Sequence, residues 1–517
     1  MMPRAVDEQQ TAPTPNYSTR NSSEVRLWLV IAALTALYVT VVAIGNRRYV
    51  WFDELFTFDF ARSESLGQLW YRVQRFDCNP PTVYLLSRIS MSIFGPTPFG
   101  LRFPSMVEFY FGSVAILLYV RRKASLAFGV VAVLMLWAVA PSLYYAVEAR
   151  PYALLFLSFA CLLLSWDTAI KGPPRGWAFF GISASTLALA LAHVFAPFTL
   201  FAFVIAQIVR FRRRRIPDYP LWAALFLPML SMLLYIPLIR SYGGIVFPAV
   251  ASYNTIVVFF EDTFGASIMG FVLLAALLVP LRDTPEESLP HFSAEELALL
   301  GCMALGPILL NLVLMHRHGM FYNRYGITSQ VAILAALAIY IAYRLRLNRF
   351  AAYAAATVLV LAILKLQVWH PLLYPEPAKT GALMSVRPDL PIVVGEGQVF
   401  MEMNQRENQL FLDRLYFLKD HQASLQYSRS NYFQDFEAPD VLQKAGFPFT
   451  ANVAPYAGFV REHQQFLLLG SPREWIFLKL RASGASIAFF GDYGDAMPYM
   501  DRTLYLVRMP SADSPRE

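Results

Sequence analysis

Long apolar stretches alternate with short polar ones along most of the chain. A helix that crosses the hydrocarbon layer of a membrane needs about 20 mainly apolar residues. By this measure we predict eleven spans, with bounds set to within several residues: 27–44, 100–120, 126–143, 151–168, 177–192, 194–209, 220–239, 264–281, 297–315, 325–342 and 351–368. No small-residue cleavage site follows the first apolar run, so we interpret it as a retained span and not as a signal peptide.

Short basic stretches between the spans predict their orientation. They read "RRK" at 121–123, "KGPPR" at 171–175, "RFRRRR" at 210–215 and "YRLRLNR" at 343–349. Positive charge in short loops favours the cytoplasmic side, and eleven spans put all four stretches on that side. We interpret 177–209 as two helices because a single helix would place the arginine run outside.

Three polar segments flank or interrupt the spans. Residues 1–24 are polar and predict a disordered cytoplasmic tail. The stretch 79–95 is too short to span comfortably and carries Arg88 and several serines on one face, which predicts an interfacial helix on the outer surface. The transmembrane domain then covers 25–369, and 370–517 forms a separate extracytoplasmic domain.

The composition changes in this last domain. "DLPIVVGEG", "SIAFFGD" and "RTLYLVRM" read as short buried strands, whereas "GQVFMEMNQRENQLFLDRLYFL" and "SPREWIFLKLRASG" read as helices. Alternating strands and helices predict a small α/β domain, which we expect to fold by itself from about residue 375.

The composition supports a polytopic α-helical membrane protein. Of 517 residues, 56% are hydrophobic and 15% are charged, whereas about a quarter of a soluble domain is charged. The net charge of +7 resides in clusters between spans, so it indicates topology and contact with anionic lipid and not nucleic acid. The three cysteines, Cys78, Cys161 and Cys302, are too widely spaced to suggest a disulfide framework.

Charged and aromatic side chains collect at the span ends that are predicted to lie outside. Asp53 and Glu54 follow the first span amid aromatic residues. The others are Arg102, Glu148, Arg150, His193, Arg324 and Tyr325. Arginines stabilise phosphate oxygens and a carboxylate accepts a proton, so this set suits a phosphate-bearing substrate and an acceptor that loses a proton.

Several short motifs occur in a fixed order: the acid pair after the first span, Pro-Pro opening the interfacial helix, "RFPS" from Arg102, "EARPY" from Glu148 and "RY" at Arg324. Together they resemble the GT-C membrane glycosyltransferases over about residues 25–345. The resemblance is nearest to the branch of protein O-mannosyltransferases, lipid A aminoarabinose transferases and lipopolysaccharide-core transferases. It implies transfer of a sugar from a polyprenyl-phosphate donor to an extracytoplasmic lipid, glycan or protein acceptor, at the inner (plasma) membrane.

The same resemblance implies roles for single residues. Asp53 would be the catalytic base, Glu54 its acidic neighbour, and Arg150 and Arg324, with Tyr325, would face the donor phosphate. The mechanism would be a single displacement with inversion. Arg102, Glu148 and His193 would support the site, as would Asn79, which stands where the family commonly has histidine before Pro-Pro. Asparagine cannot carry a proton near neutral pH, so a step that relies on histidine there is in question.

Other interpretations remain open at this point. The acid pair at 53–54 can be a plain interfacial feature, and Glu148 with Arg150 a structural ion pair. The spans also fit a transporter or flippase, or a non-catalytic envelope assembly protein. No nucleotide fingerprint occurs in the membrane part, which favours a lipid-linked donor. A divalent metal ion is open as a cofactor, although His316 and His318 form a weak candidate site.

The predicted topology can be tested with reporter fusions. One span separates Arg349 from the C-terminus, so a reporter after Arg349 should be cytoplasmic and one after Glu517 extracytoplasmic. Alkaline phosphatase and fluorescent-protein fusions would measure both positions. Two reporters on the same side of the membrane would contradict the count of eleven.

Overall fold

The computed structural model describes residues 17–77, 79–172, 176–241, 251–264, 292–317, 319–369, 383, 385–406, 409–449, 452–492 and 503–510. Helices dominate the part before residue 370. Their bounds are α1 Tyr17–Gly45, α2 Phe52–Ala61, α3 Leu66–Phe76, α4 Thr82–Phe94, α5 Pro98–Lys123, α6 Leu126–Ala138, α7 Ala140–Ala146, α8 Tyr152–Lys171, α9 Gly176–Ala190, α10 Ala196–Arg214, α11 Tyr219–Phe226, α12 Tyr235–Ser241, α13 Tyr253–Phe264, α14 Ala294–His316, α15 Ile327–Arg344 and α16 Arg349–Ile363. Short 3-10 turns join some of them at Pro228–Leu234 and Asn323–Gly326.

Ten of the eleven predicted spans coincide with these helices, and the predicted span 264–281 lies outside the described residues. Within the described part, seven helical segments are long and apolar enough to cross a membrane. They are Glu24–Gly45, Pro98–Lys123, Tyr152–Lys171, Tyr219–Arg240, Ala294–His316, Asn323–Arg344 and Arg349–Trp369. Helices α6 and α9 are shorter, and α10 ends in a run of arginines.

The predicted break between α9 and α10 is confirmed. Helix α9 ends at Ala190, and α10 begins at Ala196 with Pro197 in its first turn. Proline is tolerated there because the first backbone N–H groups of a helix have no partner within it. The break lets the chain reverse and places His193 in the turn.

The basic stretches share one end of the bundle, as predicted. Lys123 at the end of α5 pairs with Asp167 at 3.0 Å and with Glu296 at the start of α14. Arg213 at the end of α10 lies 3.3 Å from Glu295. We call this the basic end, and the opposite end, where α5 begins at Pro98, the site end.

Helix α4 occupies the stretch predicted to be interfacial. Its polar face turns toward the protein, where Arg88 donates to the backbone oxygens of Ala61 and Ser63 at 3.2 and 2.5 Å. Ile89 and Ile93 are exposed on the other face. A helix with this division of faces suits the boundary between protein and lipid.

The C-terminal region forms a six-stranded mixed sheet with strand order β3-β2-β1-β4-β6-β5. Strands β1 to β4 are mutually parallel, and β6 and β5 add antiparallel neighbours. The bounds are β1 Ile392–Val394, α17 Gly397–Arg406, α18 Gln409–Leu412, β2 Leu415–Lys419, α19 His421–Ala423, α20 Pro439–Lys444, β3 Asn452–Pro455, α21 Tyr456–Glu462, β4 Gln465–Gly470, α22 Trp475–Ala482, β5 Ser486–Asp492 and β6 Thr503–Arg508.

The α/β character of this region is confirmed, but one predicted helix is wrong in part. The stretch from Gly397 was expected to stay helical through Leu418, whereas Leu415–Lys419 forms β2 between β1 and β3. Strands β3 and β4 were not predicted. A short apolar run does not distinguish a buried strand from a buried helix, and here pairing with β1 decides the outcome.

The sheet domain packs on helices α2 to α4 in a shared hydrophobic cluster. The ring of Phe447 lies 5.6 Å from Phe56, 5.8 Å from Phe60 and 5.6 Å from Phe76. A fragment starting near residue 375 would expose this surface to water. The packing does not test whether the domain folds by itself, which stays a prediction.

Arg72 of α3 fastens the two regions by hydrogen bonds. Its guanidinium donates to the carbonyl oxygens of Ala445 at 3.1 Å, Gly446 at 3.0 Å and Asp59 at 3.0 Å. Gly446 has φ +86°, and a Cβ there would lie 2.6 Å from Arg72 Nη2. Glycine is therefore required at this position both by its backbone conformation and by the close approach of Arg72.

We expect Arg72→Ala to loosen this contact, because it removes the hydrogen bonds to Ala445 and Gly446, each worth about 1 kcal/mol. The measurement is the rate of proteolysis in the C-terminal region of the full-length protein, which should rise. Arg75→Ala, an exposed residue of the same helix, is the matched control. Equal rates in the two variants would show that Arg72 does not hold the domain.

Candidate active site

A buried ion pair organises the start of α2 at the site end. Arg102 Nε and Nη2 donate to the two carboxylate oxygens of Glu54 at 2.7 and 2.6 Å, and both side chains are 0% exposed. Glu54 also accepts the backbone N–H of Ala149 at 2.9 Å. Burial alone would raise the pKa of Glu54, but the charge and hydrogen bonds of Arg102 hold this pKa below its usual value. With its oxygens bonded within the protein, Glu54 is placed to fix the position of its neighbours.

Asp53, the predicted base, forms an ion pair with Arg324. Asp53 Oδ2 lies 3.0 Å from Arg324 Nη2, and both side chains are partly accessible, at 14% and 20%. Aromatic rings surround the guanidinium, with ring centres 4.6 Å away for Tyr322, 5.4 Å for Trp51 and 5.6 Å for Tyr152. Rings of this kind attract a cation through their faces and fix its direction without neutralising it.

A second pair lies beside the first and joins Arg150 to Asp77. Arg150 Nη1 lies 3.3 Å from Asp77 Oδ2 and 3.5 Å from the backbone oxygen of Asp53. Asp77 also accepts the hydroxyl of Tyr84 and the backbone and side-chain N–H groups of Asn79, the latter two at 2.9 and 2.8 Å. The structure therefore brings Arg150, Arg324, Asp53 and Asn79 together, as the sequence predicted.

Asp77 was not among the predicted site residues. A signal for it existed in the sequence, since Asp77 stands two residues before Asn79, at the end of α3 and just ahead of Pro-Pro. An Asp or Asn at such a break commonly bonds to nearby backbone N–H groups.

His193 lies in the wall of the site as a neutral residue. Burial, followed by the charges of Arg150 and Arg324, lowers the pKa of His193 to about 3. Its Nδ1 accepts the backbone N–H of Phe195 at 3.1 Å, and its ring lies 5.4 Å from that of Tyr325. This histidine is thus an aromatic and hydrogen-bonding element at neutral pH and carries no charge.

The carboxyl group of Glu148 is buried in the site without a hydrogen bond. It is 1% exposed, and neither carboxylate oxygen has a partner among the described residues. Burial, offset in part by the charges of Arg324 and Arg48, raises the pKa of Glu148 to about 7. The Glu148 carboxyl group can therefore exchange a proton close to neutral pH, and it makes no hydrogen bond to the Arg150 side chain.

A small cavity of about 20 Å³ lies next to Tyr325, between α10, α14 and α15. Its walls are part apolar, with Phe195 and Leu310, and part polar, with Thr199 and Ser329. It has room for about one water molecule.

The described residues hold no group of three His, Cys, Asp or Glu side chains placed to bind a metal ion. His318 lies outside the described part, so the pair of His316 with His318 is not tested. Cys161 and Cys302 are free thiols, and Cys78 also lies outside the described residues.

No protein-family model matches the sequence, and no curated protein matches it. Among solved structures, the fold is similar to the crystal structure of ArnT from Cupriavidus metallidurans in the apo state, with a TM-score of 0.56 and 12% sequence identity, over 96% of this chain and 100% of that chain. The crystal structure of ArnT from Cupriavidus metallidurans bound to undecaprenyl phosphate gives a TM-score of 0.48 at 12% identity, over 94% of this chain and 99% of that one.

At this level of identity, the likeness to the apo structure concerns the fold. The chain is a polytopic membrane protein with a GT-C-like architecture and a small C-terminal sheet region. Because the alignment covers 96% of this chain, it extends well beyond residues 25–345, where the sequence motifs lie.

The raised pKa of Glu148 predicts how stability depends on pH. A carboxyl whose pKa is about 7 in the folded protein and 4.5 otherwise stabilises the fold fully below pH 4.5, and this contribution is lost as pH rises through 7. The loss is on the order of 3 kcal/mol. Glutamine keeps the neutral form. Glu148→Gln should therefore have the same melting temperature as the wild type at pH 5 and a higher melting temperature than the wild type at pH 8.5.

Thermal melting of the purified protein at both pH values measures this difference. Glu64→Gln, which changes an exposed acid, is the control and should show the same difference from the wild type at both pH values. A melting difference for Glu148→Gln that does not grow with pH would contradict the prediction.

Proposed function

We propose that the protein is a membrane glycosyltransferase that moves a sugar from a polyprenyl-phosphate donor to an acceptor hydroxyl on the extracytoplasmic side. The observation that carries the proposal is the pair of adjacent carboxylate and arginine contacts, Asp53 with Arg324 and Asp77 with Arg150. The GT-C-like fold supports it, and so does the resemblance of the sequence motifs. The acceptor is a lipid, a glycan or a protein.

The donor would bind with its phosphate at the arginines. Arg324 offers a partly accessible guanidinium for this contact. A phosphate carries more charge than a carboxylate and accepts bidentate hydrogen bonds from arginine. A bound donor would therefore compete with Asp53 for Arg324.

This competition gives the donor a way to free the base. While Asp53 is paired with Arg324, its Oδ2 lies 3.0 Å from the guanidinium and is engaged by it. When the phosphate takes over part of that contact, Oδ2 becomes available to the acceptor hydroxyl. The enzyme would then deprotonate the acceptor only when the donor is in place.

The transfer itself would be a single displacement. Asp53 takes the proton from the acceptor hydroxyl, whose oxygen forms a bond to the anomeric carbon of the sugar. The bond from that carbon to the phosphate oxygen breaks, and the electron pair leaves with the polyprenyl phosphate. The anomeric configuration inverts. Arg150 and Arg324 stabilise the leaving charge, a contribution on the order of a hundredfold or more for each donor group.

Glu54, Asn79 and His193 would act as positioning residues in this scheme. Glu54 holds Arg102 and the backbone of Ala149, next to Arg150. Asn79 directs Asp77 toward Arg150 through two hydrogen bonds. An amide suffices for that task, so a proposed role for Asn79 needs no titratable side chain at this position.

The test uses purified protein in lipid nanodiscs with a panel of undecaprenyl-phosphate sugars, and it measures release of undecaprenyl phosphate. We expect the wild type to consume at least one donor. Asp53→Asn keeps the size and removes the proton acceptor, so turnover should fall at least about a hundredfold while undecaprenyl phosphate still binds. Asp389→Asn, which changes an exposed acid paired with Arg387, should behave as the wild type.

Arg324→Ala should differ from Asp53→Asn because its proposed partner, the phosphate, is charged before the reaction begins. We expect weaker binding of undecaprenyl phosphate, by about tenfold or more. Wild-type turnover in Asp53→Asn would show that the base lies elsewhere, with Glu148 the next candidate. A wild type that consumes no donor and does not bind undecaprenyl phosphate would contradict the proposed function.

A further inference from the structure

A short turn of the C-terminal domain packs against the residues that precede the two acids of the site. Residues Tyr432–Phe436 form a π-helical turn after β2. The ring of Phe433 packs against Phe52 with centres 5.9 Å apart, and that of Phe436 packs against Phe76 at 6.0 Å. Phe52 and Phe76 are the residues immediately before Asp53 and Asp77. These two ring contacts therefore fix the position of the turn relative to Asp53 and Asp77.

Glu437 is the residue that ends this turn, and its carboxyl group is buried. The residue is 4% exposed, and its backbone N–H donates to the oxygen of Tyr432 at 2.9 Å. The carboxyl group is hydrogen-bonded to the Tyr432 hydroxyl, and Oε2 has no hydrogen-bond partner among the described residues. Its charged neighbours are Asp53, Asp77 and Arg150, all from the membrane part.

Such an arrangement is costly unless something else uses the free oxygen. A buried polar atom without a partner costs about 1–3 kcal/mol. Burial, with the charges of Asp53 and Asp77, raises the pKa of Glu437 well above its usual value, and Arg150 offsets this only in part. Burial thus favours the neutral form of this carboxyl group, which has one proton to donate and a carbonyl oxygen that can accept.

The surroundings of Glu437 limit the ligand that it can meet. A phosphate or carboxylate would be repelled by Asp53 and Asp77, and the arginines already offer it a better place. A hydroxyl group is neutral and both donates and accepts, which matches a carboxylic acid. A sugar is the part of the proposed donor that carries such groups.

We propose that Glu437 is a substrate-contacting residue, through which the C-terminal domain binds a hydroxyl of the transferred sugar. The proposal rests on the proposed function and assigns a task to a domain that the sequence motifs leave out. The membrane part would bind the phosphate, and the C-terminal domain would bind a hydroxyl of the sugar. Which sugar is transferred would then depend on residues of both parts.

The experiment compares the sugar-charged donor with the bare carrier, using full-length Glu437→Ala and Glu437→Gln in nanodiscs. Undecaprenyl phosphate has no sugar, so its binding should stay within about twofold of the wild type. For an undecaprenyl-phosphate sugar that the wild type consumes, Glu437→Ala should lower kcat/KM by about tenfold to a hundredfold, the loss expected for one or two buried hydrogen bonds. Glu437→Gln keeps a donor and an acceptor and should recover part of that loss.

Asp440→Asn is the matched control, because Asp440 lies three residues away and pairs with Lys419 at 2.8 Å on the outside of the domain. It should leave both measurements unchanged. Tyr432→Phe provides a second test that keeps Glu437, since it removes the hydroxyl that holds the carboxyl group. We expect a smaller loss in kcat/KM, again with normal binding of the bare carrier.

The possible outcomes separate the two proposals. Wild-type kcat/KM in Glu437→Ala would overturn the assignment and leave the proposed function intact. A lower melting temperature together with weaker binding of the bare carrier would mean that Glu437 has a structural task, which also overturns it. A loss that depends on the acceptor and not on the donor sugar would place the hydroxyl on the acceptor. A wild type that consumes no donor would remove the proposed function and this assignment with it.

Discussion

The ion pair between Arg102 and Glu54 is the contact on which the site depends. Arg102 also donates to the backbone oxygens of Arg48 at 3.1 Å and Tyr49 at 2.9 Å, so one side chain joins α1, α2 and α5. Glu54 adds the chain before α8 through Ala149. Removing one partner of a buried ion pair lowers the free energy of unfolding by about 3–5 kcal/mol, because it leaves the other charge uncompensated. Asp53 follows Trp51 and Phe52 and directly precedes Glu54, and Arg150 directly follows Ala149. The hydrogen bonds of Glu54 and Ala149 therefore fix the backbone positions of Asp53 and Arg150.

The acids around that pair fall into two groups, those that are paired with an arginine and those that are not. Asp53 and Asp77 each have an arginine, whereas Glu148 and Glu437 have buried oxygens with no hydrogen-bond partner among the described residues. In a site of low polarity, an unpaired carboxyl favours its neutral form. The site thus combines ionised pairs that suit a phosphate with neutral acids that suit hydroxyl groups.

The membrane part could be predicted from the sequence because the thickness of the bilayer imposes a length on each span and positive charge imposes a direction. Short-range patterns did less well. Leu415–Lys419 became a strand through pairing with β1, which no local pattern records. Asp77 and Glu437 were not predicted as site residues. What places them in the site is their proximity to Arg150 and, for Glu437, to the acids of the membrane part, which are far away in the sequence. The roles of Asp53, Arg150 and Arg324 stay predictions, although their proximity is observed.

The clamp between Arg72 and Gly446 has a consequence for biosynthesis. Its two partners are 374 residues apart, and a ribosome adds about 5–20 residues each second. On the order of a minute or less therefore separates the emergence of α3 from that of the surface that covers it. During this interval the aromatic rings of Phe56, Phe60 and Phe76 lack their contact with Phe447. The C-terminal domain therefore covers the site end only after the helices that form the ion pairs of the site have been made, and a ribosome that stalls before residue 446 leaves that end without this cover.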